Sequence, residues 1–202
     1  MLVDLTVPIN EQTPVYPGDP ATKIAPAGQI AKDGYNDHFV SIGTHVGTHM
    51  DAPNHMLENG KTLDTFNVNQ FVGRGRLVTL KDDAFDLKKL EDADIQEGDI
   101  VLFQSGMNKK YHEAEYFENY PAMPKEIAEY LVKKKAKMVG IDMCSPDHDE
   151  FIAHKILLAG DVLIIENLTN LEMLEGKEFT IYAFPIKLQL DGAPARVVAE
   201  IT

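Results

Sequence analysis

The segment His45-Val46-Gly47-Thr48-His49-Met50-Asp51-Ala52-Pro53-Asn54-His55 constrains this chain more than any other. Three imidazoles and a carboxylate fall within eleven residues, in a sequence holding seven histidines altogether. On a helix His45 and His49 would share a face, but Asp51 would turn away from it. Gly47 and Pro53 also oppose a regular helix. In an extended chain the even offsets put His45, His49 and Asp51 on one side. A straight strand, however, separates positions 45 and 49 by roughly 13 Å at about 3.3 Å per residue, too far for one ion. The segment must therefore bend, and Gly43 and Gly47 are the residues that permit it. The expected course is a strand entering through Phe39-Val40-Ser41-Ile42, turning at the glycines and gathering its ligands around one centre. Imidazole nitrogen and carboxylate oxygen suit Zn²⁺, Mn²⁺ or Fe²⁺, and three protein ligands leave a position open for water. A hydrogen-bonded polar loop accounts for any one of these histidines. The four side chains together favour a metal, because crowded buried polar groups need a partner.

Length and charge narrow the function classes. The 202 residues suit one domain, 1–202, with a core large enough to need no disulfides. The single cysteine, Cys144, excludes an internal disulfide framework and fits a reducing cytosol. Hydrophobic content of 44% without low-complexity tracts argues for a folded globule. A net charge of −13 argues against nucleic acid or an anionic membrane surface as partner. The opening MLVDLTVPI is too short and acidic for a signal peptide and reads as a strand. No apolar stretch approaches the roughly 20 residues of a membrane span. The expectation is a soluble, cytoplasmic protein.

Strand and helix patterns are mixed along the chain. Residues 2–7 alternate like a strand, and 13–20 form a rigid, turn-rich loop. Further strands are expected at 36–45, 75–81, 99–104, 137–141, 161–166, 178–188 and 195–201, from β-branched content or alternation. Pro124 opens a helix over 125–132, a second helix runs over 151–158 to Gly160, and Asn170 is placed to cap a short third over 171–174. Nucleophilic alternatives are weak. Cys144 beside an apolar strand is more simply packing, Ser105-Gly106 lacks a Gly-x-Ser-x-Gly elbow, and Gly73-Arg74-Gly75-Arg76 lacks the lysine and hydroxyl of a phosphate loop. His148, in Asp147-His148-Asp149-Glu150, reads as part of a solvated acidic loop. A second informative region is His154 through Leu168, where a histidine on a helix is followed by the apolar strand Val162-Leu163-Ile164-Ile165 ending in Glu166. A helix packed on the next strand can return that strand's end to the helix, so His154 and Glu166 can meet, although this segment alone reads more simply as a solvated glutamate at a strand end and a histidine on a surface helix.

The pattern His-x-Gly-Thr-His-x-Asp-x-Pro-x-His resembles the signature of the metal-dependent cyclases that include bacterial kynurenine formamidase. The resemblance extends to Asp4-Leu5-Thr6, Pro14 to Pro20, Gly140-Ile141-Asp142 with Ser145, and His154 with Glu166-Asn167-Leu168. It implies an α/β fold, a swivelling β/β/α single domain around a mixed β-sheet with flanking helices. It also implies two divalent ions per subunit, zinc ahead of manganese. His45, His49 and Asp51 would hold one, and Asp51, His154 and Glu166 the other. His55 would act as acid and base, and Tyr16, where formamidases commonly carry tryptophan, would face the substrate ring. Gln104 stands where many relatives have arginine. The implied activity is hydrolysis of a C–N amide bond in a small molecule, N-formylkynurenine first, by a cytoplasmic homodimer or homotetramer. A ring-opening hydrolase of a cyclic amide or lactone would keep the same site residues. A non-catalytic metal-binding module would have no need of His55.

Overall fold

The computed structural model describes residues 1–81 and 84–202. Among the described residues there are ten strands: β1 (Leu2–Asp4), β2 (Lys23–Gly28), β3 (Asp37–Ser41), β4 (His49–Asp51), β5 (Val72–Thr79), β6 (Ile100–Gln104), β7 (Met138–Ile141), β8 (Leu163–Glu166), β9 (Phe179–Pro185) and β10 (Gly192–Ile201). Four helices accompany them: α1 (Ile30–Asp33), α2 (Leu87–Asp92), α3 (Lys125–Lys133) and α4 (Ile152–Ala159). The main sheet runs β1-β10-β4-β8-β7-β6-β5-β9, and β9 pairs again with β10. Seven strands therefore close into a mixed barrel, with β1 added along the edge of β10. The expected α/β single domain around a mixed sheet is what the chain forms.

Alternation along the strands creates two apolar layers. In β6, Ile100 and Leu102 point into the barrel with Met50, Met138, Ile165, Ile181 and Val197. Val101 and Phe103 point outward and pack with Val139, Ile141 and Ile164 against α3 and α4, through Ile127, Leu131, Leu157 and Leu158. The parallel strands β6 to β8 are apolar on both faces because helices cover the outer one. At Gly75 a Cβ would lie 1.9 Å from the Phe179 ring, so the ring fills the space a side chain would take.

Strands β2 and β4 and helices α1 and α2 were not expected from the sequence, and three expected elements take another course. The strand expected over 36–45 stops at Ser41, because its partner β2 begins at Lys23 opposite that residue. Residues 42–48 are then free to turn into the short β4. Asn170 does occupy the position before the turn Leu171–Leu174, but its side chain donates to the Asp4 carbonyl at 2.9 Å rather than capping. The strand expected over 2–7 ends at Asp4 and continues only as a single bridge from Thr6 to Leu168.

Candidate metal centre

Strands β4 and β8 set the site on the outer face of the barrel. Met50 points inward, so its neighbours His49 and Asp51 point outward. His49 lies directly opposite Glu166 in the antiparallel register, which places both side chains on the same face. The bend before β4 falls at Gly47, whose φ of 60° is the left-handed conformation that glycine adopts without strain. Thr48 fixes the bend, accepting from the Val7 amide at 3.0 Å and donating to the Asn167 carbonyl at 2.7 Å. His45 thereby returns over Asp51, its Nδ1 2.8 Å from Asp51 Oδ1. The 3₁₀ turn Pro53–His55 stacks the His55 ring on that of His45, centroids 4.0 Å apart. Helix α4 supplies His154 from the opposite side.

The ring nitrogens are sorted by their partners. His49 Nδ1 faces the Gly47 carbonyl at 2.9 Å. That oxygen only accepts, so Nδ1 carries a proton, and Nε2 is the nitrogen that offers a lone pair once its own proton is displaced. Nε2 of His49 is 3.4 Å from both Asp51 Oδ1 and Glu166 Oε2. His154 repeats the arrangement: Nδ1 is 2.5 Å from Asp147 Oδ1, while Nε2 is 3.4 Å from Glu166 Oε1 and 3.9 Å from Asp51 Oδ2. His49 Nε2 and Asp51 Oδ2 are fully buried yet have no hydrogen-bond partner. Buried polar atoms without partners are costly, so this pair marks where a cation fits. Single donor atoms from His45, His49 and Asp51 lie within 4.8 Å of one another, and so do those of Asp51, His55 and His154. The second grouping contains His55 where the sequence suggested Glu166, although Glu166 reaches both His49 and His154. The donor set and its outer-nitrogen anchors are those of a divalent metal site.

Charge in the cluster follows from these contacts. Burial alone pushes the His49 imidazole down, but Asp51 and Glu166 outweigh it and hold the pKa well above 6.5. His154 is likewise opposed by burial and raised, to about 10, by Asp147, Glu166 and Asp51. His45 is raised because Asp51 and the Asp191 hydrogen bond overcome its burial. Asp51 itself resists burial and lies well below the carboxylate range, held there by His45 and His49. His55 moves the other way, lowered by burial and by His45 and His154 beside it, against Asp51 and Glu166. It is the one imidazole of the group whose neutral form is favoured by its surroundings. The field that retains protons on His49 and His154 is also one that attracts a cation.

A family model described as "Putative cyclase" matches residues 3–148. The chain belongs to the cyclase family. Kynurenine formamidase from Bacillus cytotoxicus is 27% identical over 203 residues, covering 97% of this chain and 95% of the relative. A solved structure described as a potential metal-dependent hydrolase with cyclase activity is 32% identical, with a TM-score of 0.81 over 98% of this chain and 96% of the other. The same fold recurs in an isatin hydrolase bound to the product analogue thioisatinate, 23% identical, with a TM-score of 0.85 over 100% of this chain and 92% of the other.

In this cyclase-family chain the structure brings together all seven residues singled out from the sequence. His45, His49, His55, His154, Glu166 and Tyr16 line one cavity of about 310 Å³, and Asp51 lies directly beneath it. Tyr16 meets Phe117 edge to face, centroids 6.1 Å apart, and with Phe151 forms an aromatic wall. Gln104 is elsewhere, on the surface between Thr79 and Glu175. Cys144 lines the cavity as a buried thiol directed at the Tyr116 carbonyl, its pKa pushed up by burial. Ser105 donates to Asp142 and is no nucleophile.

Three residues of the site escaped sequence reasoning. Asp147, in the segment read as a solvated acidic loop, is buried and accepts from the amides of Ala153 and His154 as well as the His154 ring. Asn167 donates to Gly47 O at 2.9 Å and accepts from Tyr116 Oη at 2.7 Å. Asp191 Oδ2 lies 2.8 Å from His45 Nε2. Two of them carried a signal: Asn167 lies in the Glu166-Asn167-Leu168 segment of the family resemblance, and Asp147 is a carboxylate near a helix start.

Proposed function

We propose that this protein is a binuclear metal-dependent hydrolase of a C–N amide bond, an arylformamidase acting on N-formylkynurenine or a similar aryl formamide. The observation that carries the reading is the buried, unpartnered pair His49 Nε2 and Asp51 Oδ2, framed by His45, His154 and Glu166. His45, His49 and Asp51 would hold one divalent ion, zinc or manganese, and Asp51, His154 and Glu166 a second. Such ions lower the pKa of water from 15.7 towards about 7 and polarise a carbonyl oxygen. His55, neutral and facing the cavity, takes a proton from the attacking water and returns it to the leaving nitrogen. Tyr16, Phe117 and Phe151 offer an aromatic ring three partners and exclude water around it. The likeness to kynurenine formamidase over nearly the full length supports the formamide.

A ring-opening hydrolase of a cyclic amide or lactone is the second reading. It is favoured by the described residues lining the cavity, which include no lysine or arginine to meet a substrate carboxylate. The exposed β2–β3 ribbon, with Phe39 67% accessible, supports assembly as a homodimer or homotetramer, and the single cysteine is in keeping with a cytoplasmic location.

Hydrolysis of N-formylkynurenine and of isatin by purified protein tests both readings, with His49→Ala as control. Turnover of the formamide, abolished in the control, is the expected result. Turnover of isatin alone selects the second reading, and turnover of neither refutes both.

A further inference from the structure

We propose that Asp191 is a positioning residue of this centre, one carboxylate oxygen orienting both His45 and His55. The inference rests on the metal reading above. Each ligating imidazole there has its outer nitrogen held by an oxygen: His49 by the Gly47 carbonyl and His154 by Asp147. His45 turns the opposite edge inward. Its Nδ1 meets Asp51, so Nε2 is the outer nitrogen, and that atom lies 2.8 Å from Asp191 Oδ2. The same oxygen is 3.5 Å from His55 Nδ1, the one carboxylate within ion-pair reach of that ring among the described residues. Since the His45 and His55 rings stack at 4.0 Å, a single oxygen aligns the ligand and the acid/base group as a unit.

The neighbouring backbone is shaped for this contact. A Cβ at Gly192 would lie 2.7 Å from His45 Cε1, so glycine is required for the ring to rest against β10. The loop does not depend on the carboxylate for its path. Main-chain bonds hold it, from Ala52 N to Asp191 O at 2.8 Å and from Leu63 N to Leu190 O at 3.1 Å. Removing the Asp191 side chain therefore frees two imidazoles and leaves the fold in place.

The test uses the full chain as wild type, Asp191→Ala and Asp191→Asn. Cobalt(II) affinity is measured by chelator competition, cobalt coordination by visible absorption, and kcat and KM separately. Asp191→Ala is expected to lower cobalt affinity about 10–100-fold, the usual effect of losing such an outer partner. It should also alter the absorption band while keeping the wild-type stoichiometry at saturation, and lower kcat with KM unchanged. Asp191→Asn, which retains an acceptor oxygen for His45, should recover most of the affinity. Unchanged affinity and spectrum in Asp191→Ala would overturn the proposal. Loss of a full equivalent of cobalt would also overturn it, by making Asp191 a ligand. Failure of the wild-type protein to bind cobalt would instead remove the metal reading itself.

Discussion

What each imidazole meets at its outer nitrogen decides what its inner nitrogen can do. His49 and His154 donate outward and, once their inner protons are displaced, present lone pairs inward, whereas His55 meets only the Asp191 carboxylate, at 3.5 Å, and keeps a lowered pKa. Its role is therefore separable from metal binding. His55→Ala is expected to retain the wild-type metal content and lose about 10²–10⁴-fold in kcat. Metal analysis and steady-state kinetics on the same preparation check this, and unchanged kcat would remove the acid/base assignment. The residues of this site that were legible in the sequence are those packed into one short segment, His45 to His55, together with His154 and Glu166 at either end of a helix–strand unit. Asp147 and Asp191 were not legible. Asp147 sits in an acidic run and Asp191 in a loop without a motif, and only the folded chain brings each, 7 or 146 positions along the sequence, to its histidine.

At the level of elements, α4 links stability to ligand geometry through one side chain. Phe151, at its N-cap position, lies in the left-handed region with φ 48° and makes no side-chain cap. Asp147 Oδ2 takes over, accepting from Ala153 N at 2.6 Å and His154 N at 3.2 Å, while Oδ1 holds the His154 ring. Asp147→Ala thus removes a helix cap and a ligand anchor together. The expected cost is about 1 kcal/mol of stability from the cap alone, within a range of roughly 0.5–2. Urea unfolding should show that loss, and chelator competition should show weaker metal binding. Unchanged metal affinity would contradict the anchoring role. Strands β5 to β10 were legible because they are long or densely β-branched, and α3 and α4 because proline and glycine mark their ends. The three-residue β4 was not. Its length is too short for alternation to show, and its pairing with β8 and β10 is decided by the barrel.

For the molecule as a whole, closing the sheet concentrates four carboxylates, Asp51, Asp147, Glu166 and Asp191, around four histidines on one outer face. Without metal, His49 and His154 retain protons above their ordinary pKa of 6.5, His154 up to about 10. A pKa raised by folding contributes stability that is complete below 6.5 and is lost as pH rises through the folded value. Chelator-treated protein should therefore lose Tm between pH 6.5 and about 10, over the interval set by His154. Metal binding displaces the same protons, so affinity should rise with pH over that interval. A Tm and an affinity independent of pH there would show that these imidazoles carry no displaceable protons.

Metal content by mass spectrometry on protein purified without chelator, beside hydrolysis of N-formylkynurenine, tests whether this protein is a binuclear metal-dependent hydrolase. About two equivalents of zinc or manganese per chain, with turnover, is the predicted result. No bound metal, even after zinc or manganese is added, would contradict the account.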